Sequence, residues 1–217
     1  RTRPDIAFIV SQLSSAATKA PWRAIALGKR TLRYLTGTRE HGIILEPCAG
    51  EGSVALRSEK SGGTPVFEGV GDASYEEGWA QTGVLVKHRG MLVSWKSTKQ
   101  PQVPRSTAES ECTAMAYASQ HLEGIECLYV DLKIFVGTPT LYCDNRAAVH
   151  LSAGSSEWRT KALANRILGV RSLIELGQLS LQFKPTLDME ADLLTKFMGA
   201  KLLGKQRKLL GCVPPRQ

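Results

Sequence analysis

Leu141-Tyr142-Cys143-Asp144-Asn145 reads as a short apolar strand that ends in an acid and an amide just where a helix begins. An acid at such a junction either caps the helix or serves as a carboxylate with chemistry to perform. Three further acids, Asp72, Glu111 and Asp192, stand in other predicted elements where they are placed to join it.

Working outward, three strand-like runs come before this one: Pro65 to Asp72, Gly83 to Lys87 and Met91 to Ser97. Turns as short as His88-Arg89-Gly90 join them, which implies an antiparallel meander. A long helix is predicted from about Ser106 to Phe135, since Glu111, Met115, Ala118, Leu122, Ile125, Tyr129 and Leu132 fall on one stripe at steps of three and four. The strand Thr140 to Cys143 follows, then helices near Arg146 to Ser152 and Arg159 to Leu176, the strand Leu179 to Phe183, and a helix from about Asp188 to Met198. The pattern predicts an α/β fold with a mixed five-stranded sheet, three antiparallel strands then two parallel, and helices on both faces.

Ahead of the sheet, residues 3 to 17 and 22 to 36 have the apolar spacing of two amphipathic helices, with Pro4 and Pro21 at their starts. The second carries a basic face of Arg23, Lys29, Arg30 and Arg33, which either tracks a phosphate backbone or is simply solvated. The chain divides into a helical unit over 1–46, a Gly/Ser-rich linker over 47–64, the α/β domain over 65–199 and a basic C-terminal helix or tail over 200–217.

With 217 residues the chain is long enough for one well-buried domain and a smaller appendage. No apolar run approaches the roughly 18 to 20 residues of a membrane span, and no membrane partner is expected. The five cysteines form no CxxC pair and have no His at zinc-ligand spacing, which favours reduced thiols in an intracellular protein, cytoplasmic or nuclear. A net charge of +8 suggests a polyanionic partner. The opening on Arg1 rather than Met reads as a fragment cut from something longer.

Each acid has a plain reading and a chemical one. Asp72 leads into a turn, and turns favour Asp. Asp144 or Asn145 caps a helix, and Asp192 gains from a helix dipole. Glu111 is harder to set aside, because its stripe faces the sheet. An interior carboxylate with no Arg partner needs compensation, and a metal ion supplies it. Parallel strands that emerge side by side present their carboxyl ends to one crevice, where four acids from four elements can meet.

These residues carry a family resemblance. Gly71-Asp72-Ala73-Ser74, Ser94-Trp95-Lys96-Ser97 with Lys99-Gln100-Pro101, and Ser106-Thr107-Ala108-Glu109-Ser110-Glu111 resemble, in order, the ribonuclease H domain of Ty1/copia-type retrotransposon Pol polyproteins. So do Tyr142-Cys143-Asp144-Asn145-Arg146-Ala147-Ala148, Trp158-Arg159-Thr160-Lys161 and Ala191-Asp192-Leu193-Leu194-Thr195-Lys196. Thr2-Arg3-Pro4-Asp5-Ile6 and the run from Lys29 to Thr38 resemble the C-terminal tail of the reverse transcriptase just upstream. One departure stands out: Ala162-Leu163-Ala164 follows Arg-Thr-Lys where the family commonly has His-Ile-Asp.

The resemblance implies a ribonuclease H-like fold and a site of four carboxylates, Asp72, Glu111, Asp144 and Asp192, holding two Mg²⁺ ions, with Mn²⁺ as a possible substitute. Glu111 rather than Glu109 is matched by the family's Glu-x-x-Ala step, which leaves Glu109 solvated. Hard carboxylate ligands suit Mg²⁺ or Mn²⁺ rather than zinc. Two such ions about 4 Å apart activate water and stabilise the leaving oxygen of a phosphodiester. The implied substrate is the RNA strand of an RNA:DNA hybrid, cut during reverse transcription, and the implied partner is the upstream reverse transcriptase, in the cytoplasm, in virus-like particles or in the nucleus. Ser106, Thr107 and Asn145 are candidate contacts to the 2′-hydroxyl, or helix caps. Lys96, Lys99, Arg105, Arg146, Arg159 and Lys161 are candidate phosphate contacts.

Three rival readings are weighed. A transposase or integrase core of the same fold wants a third acid well beyond Asp144, yet none lies between Glu175 and Asp188. A catalytically inactive, nucleic-acid-binding relic is opposed by the presence of all four acids. Tyr129-Val130-Asp131-Leu132 resembles a polymerase Tyr-x-Asp-Asp turn but lacks the second acid and falls within the long helix.

Overall fold

The computed structural model describes residues 2–45, 67–76, 78–134, 137–152 and 167–214. The predicted linker over 47–64, the predicted bounds Pro65 and Phe135, and the start of the helix expected from Arg159 lie outside the described residues.

A short 3-10 turn, Pro4–Ile6, leads into α1 (Ala7–Lys19), which turns back as α2 (Pro21–Gly37). This is the helical hairpin that the spacing predicts. A two-residue strand follows, β1 (Gly42–Ile43). The meander then consists of β2 (Phe67–Glu76), β3 (Trp79–His88) and β4 (Met91–Lys99). Between β3 and β4 the two turn residues Arg89 and Gly90 both have positive φ, 51° and 78°, the conformation that matches a two-residue connection to the twist of its strands.

Two strands outrun the apolar runs that predict them. β2 and β3 pair residue for residue from Phe67 opposite His88 to Glu76 opposite Trp79, so Asp72 lies inside β2, facing Gly83 across the ladder, rather than at its end. Backbone pairing carries the ladder through polar positions because their side chains find partners. Gln81 and Thr82 are buried and hydrogen-bonded.

The long helix, α3 (Thr107–Asp131), is shorter at both ends than its stripe suggests. Ser106 caps it, its Oγ accepting from the Glu109 backbone N–H at 3.1 Å, a contact worth about 1 kcal/mol. Lys133, at φ 57°, turns the chain out of the helix. Met115, Ala118 and Leu122 are fully buried against the sheet. Gly71 allows that approach, since a Cβ there would stand 3.1 Å from both Ala114 O and Ala118 Cβ. Asp131 is the last residue of the helix, so the Tyr-Val-Asp-Leu run forms no polymerase turn.

β5 (Thr140–Cys143), α4 (Arg146–Ser152), α5 (Leu168–Glu175) and β6 (Ser180–Phe183) follow. The sheet order is β4-β3-β2-β5-β6, with β2, β5 and β6 parallel, as the sequence predicts. Side chains alternate between two cores. Phe67, Val84, Leu141 and Cys143 face α3 and α5, while Val70 and Leu85 face Met189, Leu193, Leu194 and Leu210.

The helix predicted from Asp188 to Met198 is instead two 3-10 turns, Thr186–Asp188 and Glu190–Leu194. All five residues of the second turn are buried, so it has no solvent face to present at helical period. Glu190 pins it. Its carboxylate accepts from Lys87 Nζ and Lys184 Nζ, each at 2.7 Å.

The C-terminal segment forms α6 (Ala200–Leu209) and β7 (Cys212–Val213), and β7 pairs antiparallel with β1. The tail thus closes onto the N-terminal hairpin, a long-range contact that two-residue strands do not announce in sequence.

Candidate active site

Register brings the first two acids level. Val70 in β2 stands beside Tyr142 in the parallel strand β5, so Asp72 and Asp144 lie two residues further along neighbouring strands. The 3-10 turn supplies the next contacts. Gly83, opposite Asp72, lets that turn press on the sheet, because a Cβ there would fall 2.7 Å from Leu194 Cβ and from Thr195 Cγ2. Thr195 Oγ1 then donates a short hydrogen bond to Asp72 Oδ2. Ser97 Oγ fixes the same turn by donating to Leu194 O at 2.5 Å, and Gln81 Nε2 ties Ser97 Oγ to Ser11 Oγ of α1, each at 2.9 Å.

Lys196 is the cation of the cluster. Its Nζ donates to Asp192 Oδ1 at 2.5 Å and lies 3.7 Å from Asp72 Oδ2. Asp144 Oδ2 accepts from Thr186 Oγ1 at 2.9 Å. Glu111 arrives from the first turns of α3, only 4% exposed, and shares with Asp72, Asp144 and Lys196 a cleft of about 610 Å³ that Thr107, Asn145 and Arg146 also line.

Electrostatics mark this cleft as short of positive charge. Burial, then the neighbouring Asp72 and Asp144 carboxylates, push Glu111 up to about 9, against the pull of Lys196 and the Ala73 backbone N–H. Burial also raises Asp72 to about 6, with Lys196 opposing the rise and Asp192 and Asp144 adding to it. Two buried carboxylate oxygens, Asp72 Oδ1 and Glu111 Oε2, have no hydrogen-bond partner among the described residues. Buried polar atoms are seldom left so, and a divalent cation fits the deficit on both counts. The donors are hard oxygens, which suits Mg²⁺ or Mn²⁺. Cys143 Sγ also lies within 4.8 Å of ligand atoms of Glu111 and Asp144. Burial, followed by the Glu111 carboxylate, drives its thiol far above the ordinary range in the metal-free site, and sulfur is a soft donor that suits Mg²⁺ poorly.

The other predicted contacts divide. Thr107, Asn145 and Arg146 border the cleft, and the Arg146 guanidinium lies 4.8 Å from the Phe183 ring centroid. Lys96 and Lys99 are exposed on β4, over the rings of Tyr117 and Trp79. Arg105 is exposed beside the start of α3, where the Ser106 side chain is engaged as cap. Arg159 and Lys161 lie outside the described residues. Glu109, expected to be solvated, is buried, and its Oε2 accepts from the Arg105 backbone N–H at 2.7 Å, sealing the helix start from outside the site. Thr195 and Lys196 fall within the Ala191 to Lys196 motif, but the sequence assigns neither a role. The available signal was the lysine four residues after Asp192, a spacing at which side chains meet on a turn.

The sheet order with a long helix across it, and acids where the parallel strands β2 and β5 adjoin, defines a ribonuclease H-like fold. Among solved structures the chain resembles LC11-RNase H1, isolated from compost by a metagenomic approach, with a TM-score of 0.50 over 65% of this chain and 98% of that one, at 16% identity, a likeness of fold. No family model matches the chain. Its curated relatives include the retrovirus-related Pol polyproteins from transposons RE2 and RE1 of Arabidopsis thaliana, 33% identical over 204 residues and 32% over 201, each match covering 90% of this chain. The chain belongs to the family of retrotransposon Pol polyproteins, and spans 13% of the length of those two relatives. No helix among the described residues is long and apolar enough to cross a membrane.

Proposed function

We propose that this chain is a divalent-metal-dependent ribonuclease H that hydrolyses the RNA strand of RNA:DNA hybrids as part of a retrotransposon polyprotein, next to a reverse transcriptase whose C-terminal tail is the α1–α2 hairpin. The observation that carries the reading is the pair of orphaned oxygens, Asp72 Oδ1 and Glu111 Oε2, buried at a cleft that Asp144, just past β5, also lines, with Asp192 linked to it through Lys196. Asp72, Glu111, Asp144 and Asp192 would hold Mg²⁺, or Mn²⁺ in its place. Bound there, such ions supply an activated water and charge stabilisation for the leaving 3′ oxygen.

The protein's own contribution is positioning. Thr195 and Gly83 hold Asp72 from one side, and Thr186 orients Asp144 from the other. Lys196 carries a proton that offsets the charge of Asp72 and Asp192, and its pKa, lowered by burial, is raised overall by Asp72 and by its bond to Asp192. Thr107, Asn145 and Arg146 line the cleft, where a 2′-hydroxyl and a phosphate would be met, and the exposed Lys96, Lys99 and Arg105 would supply further phosphate contacts. Incubating the purified chain with a labelled RNA:DNA hybrid and Mg²⁺, beside Asp144→Asn, tests the reading. RNA-strand cleavage yielding 5′-phosphate ends by the wild type and at least about a hundredfold less by the variant is expected. Equal cleavage by both, or none by either, overturns it.

A further inference from the structure

The distribution of charge points to a second contact surface. The chain has 28 Lys and Arg against 20 Asp and Glu, a net charge of +8. Helices α2 and α6 carry four basic residues each and no acid, so these two helices hold the whole excess and the rest of the chain is balanced. Their C-terminal ends meet. Arg207 of α6 donates to the Tyr34 hydroxyl of α2 at 3.2 Å, and the strands that follow each helix, β1 and β7, pair with one another. Apart from Arg207, all these cations are exposed, and none forms an ion pair among the described residues.

We propose that α2 and α6 together form a nucleic-acid contact, separate from the acid cluster, that grips the phosphate backbone of a duplex. Interfaces between proteins are depleted of Lys, whereas unneutralised cations grouped on one surface match a polyanion. A membrane surface fits less well. A helix that lies on a bilayer segregates its apolar side from its charges, yet on α2 the exposed Trp22, Ile25 and Leu32 share a side with Lys29 and Arg33, and the opposite side, with Leu27 and Gly28, rests on α1. A single strand fits less well too, since it is held by a series of exposed aromatic rings, and Trp22, 83% exposed, is the one such ring on these two helices. Helix α6 packs on the segment that carries Asp192. Gln206 Nε2 of α6 donates to Met189 O at 3.3 Å, three residues before Asp192. A duplex held here would run over α6, next to the segment that carries Asp192, whether or not the acids cut it.

Binding measured in EDTA separates this inference from the proposed chemistry. Fluorescence anisotropy of a labelled RNA:DNA hybrid across a salt series would compare the full chain with Arg33→Gln/Lys208→Gln and with Arg89→Gln/Lys133→Gln, which removes the same charge elsewhere. The first double variant is expected to bind about five- to tenfold more weakly and to flatten the log–log salt slope by about two, while the second leaves both nearly unchanged. Thermal melts of both variants should match the wild type, since all four side chains are exposed. Equal losses from the two variants, or none from either, overturn the proposal. A larger loss on single-stranded RNA than on the hybrid assigns the surface to single strands instead. A loss seen only on phosphatidylserine vesicles assigns it to a membrane.

Discussion

Lys196 Nζ stands 2.5 Å from Asp192 Oδ1, and the same ammonium reaches to 3.7 Å from Asp72 Oδ2. A lysine so placed does two opposed things. It stabilises the carboxylates, and it competes with any cation that binds them. Replacing Lys196 with Met should therefore make Mg²⁺ affinity cross over with pH. Asp72, already raised to about 6 by burial, loses the cation that opposes the rise and becomes harder to deprotonate. Below pH 6 the variant should bind Mg²⁺ more weakly than the wild type, and well above it about three- to tenfold more tightly, a modest effect because Lys196 is partly solvated. Isothermal titration calorimetry on either side of pH 6 reads this directly. Parallel curves with no crossing would leave Lys196 a surface residue.

Glu111 and Asp72 make the metal-free site costly to the fold. With Glu111 pushed up to about 9, the folded chain holds a proton that the unfolded chain releases near its ordinary value of 4.5. Stability of the metal-free protein should accordingly fall as pH rises between those two values. Glu111→Gln removes the larger part of the dependence and leaves the share of Asp72, which lies below pH 6. Its melting temperature in EDTA should exceed that of the wild type by roughly 4–8 °C at pH 8, equivalent to about 2 kcal/mol, while hybrid cleavage is lost. Adding Mg²⁺ should raise the wild-type melting temperature and leave the variant nearly unmoved. A variant less stable than the wild type in EDTA contradicts this account.

Two glycines with opposite surroundings test how the 3-10 turn is held. A methyl group at Gly83 would collide with Leu194, Thr195 and the Ala191 carbonyl, whereas Gly204, inside α6, has open space where its Cβ would go. Gly83→Ala should destabilise the chain by about 1–3 kcal/mol and depress cleavage further than stability explains, because the collision lifts Thr195 away from Asp72. Gly204→Ala should stabilise it by about 0.5–1 kcal/mol with no change in cleavage. Denaturant titrations paired with cleavage rates at a temperature where both variants are folded distinguish the two effects.

What the sequence made legible follows from the range of the interactions involved. The stripe through Met115, Ala118 and Leu122 is local and periodic, so α3 and its buried face could be read directly, and the short turn at Arg89-Gly90 announced the meander. The positions of Glu111 and Asp144 are legible because a helix face and a strand end are defined by pattern, whereas the strand carrying Asp72 runs on past it through polar residues whose partners lie elsewhere. The 3-10 turn is not legible. Its burial on all sides comes from Gly83, Lys87 and Lys184, which lie elsewhere in the chain, and no period within Glu190–Leu194 reports them. Glu109 was misread for a related reason: its partner is the Arg105 backbone, invisible to any pattern of side chains. The β1–β7 pairing joins Gly42 to Val213, and two residues per strand are too few to show alternation.

That pairing closes over a buried network whose pH response has the opposite sign to that of the active site. Asp5 accepts from Arg3 Nε and Nη2 at 2.9 and 2.7 Å and from the Tyr34 hydroxyl at 2.5 Å, and Arg3 Nη1 donates to Thr38 O at 2.9 Å. Burial alone would raise the Asp5 carboxyl. The hydrogen bonds from Arg3 and Tyr34 outweigh it and hold the group below the ordinary carboxylate range. A depressed carboxylate contributes stability that is fully present above its unfolded value, near 4, and is lost as pH falls through the folded one. Asp5→Asn should therefore cost about 1–3 kcal/mol at pH 7, leaving the half-buried Arg3 without its charge partner, and progressively less as the pH is lowered past 4. The variant and wild-type melting curves should converge in acid. A gap as wide in acid as at pH 7 would mean that Asp5 acts by packing, and that its charge does not hold the hairpin to the rest of the fold.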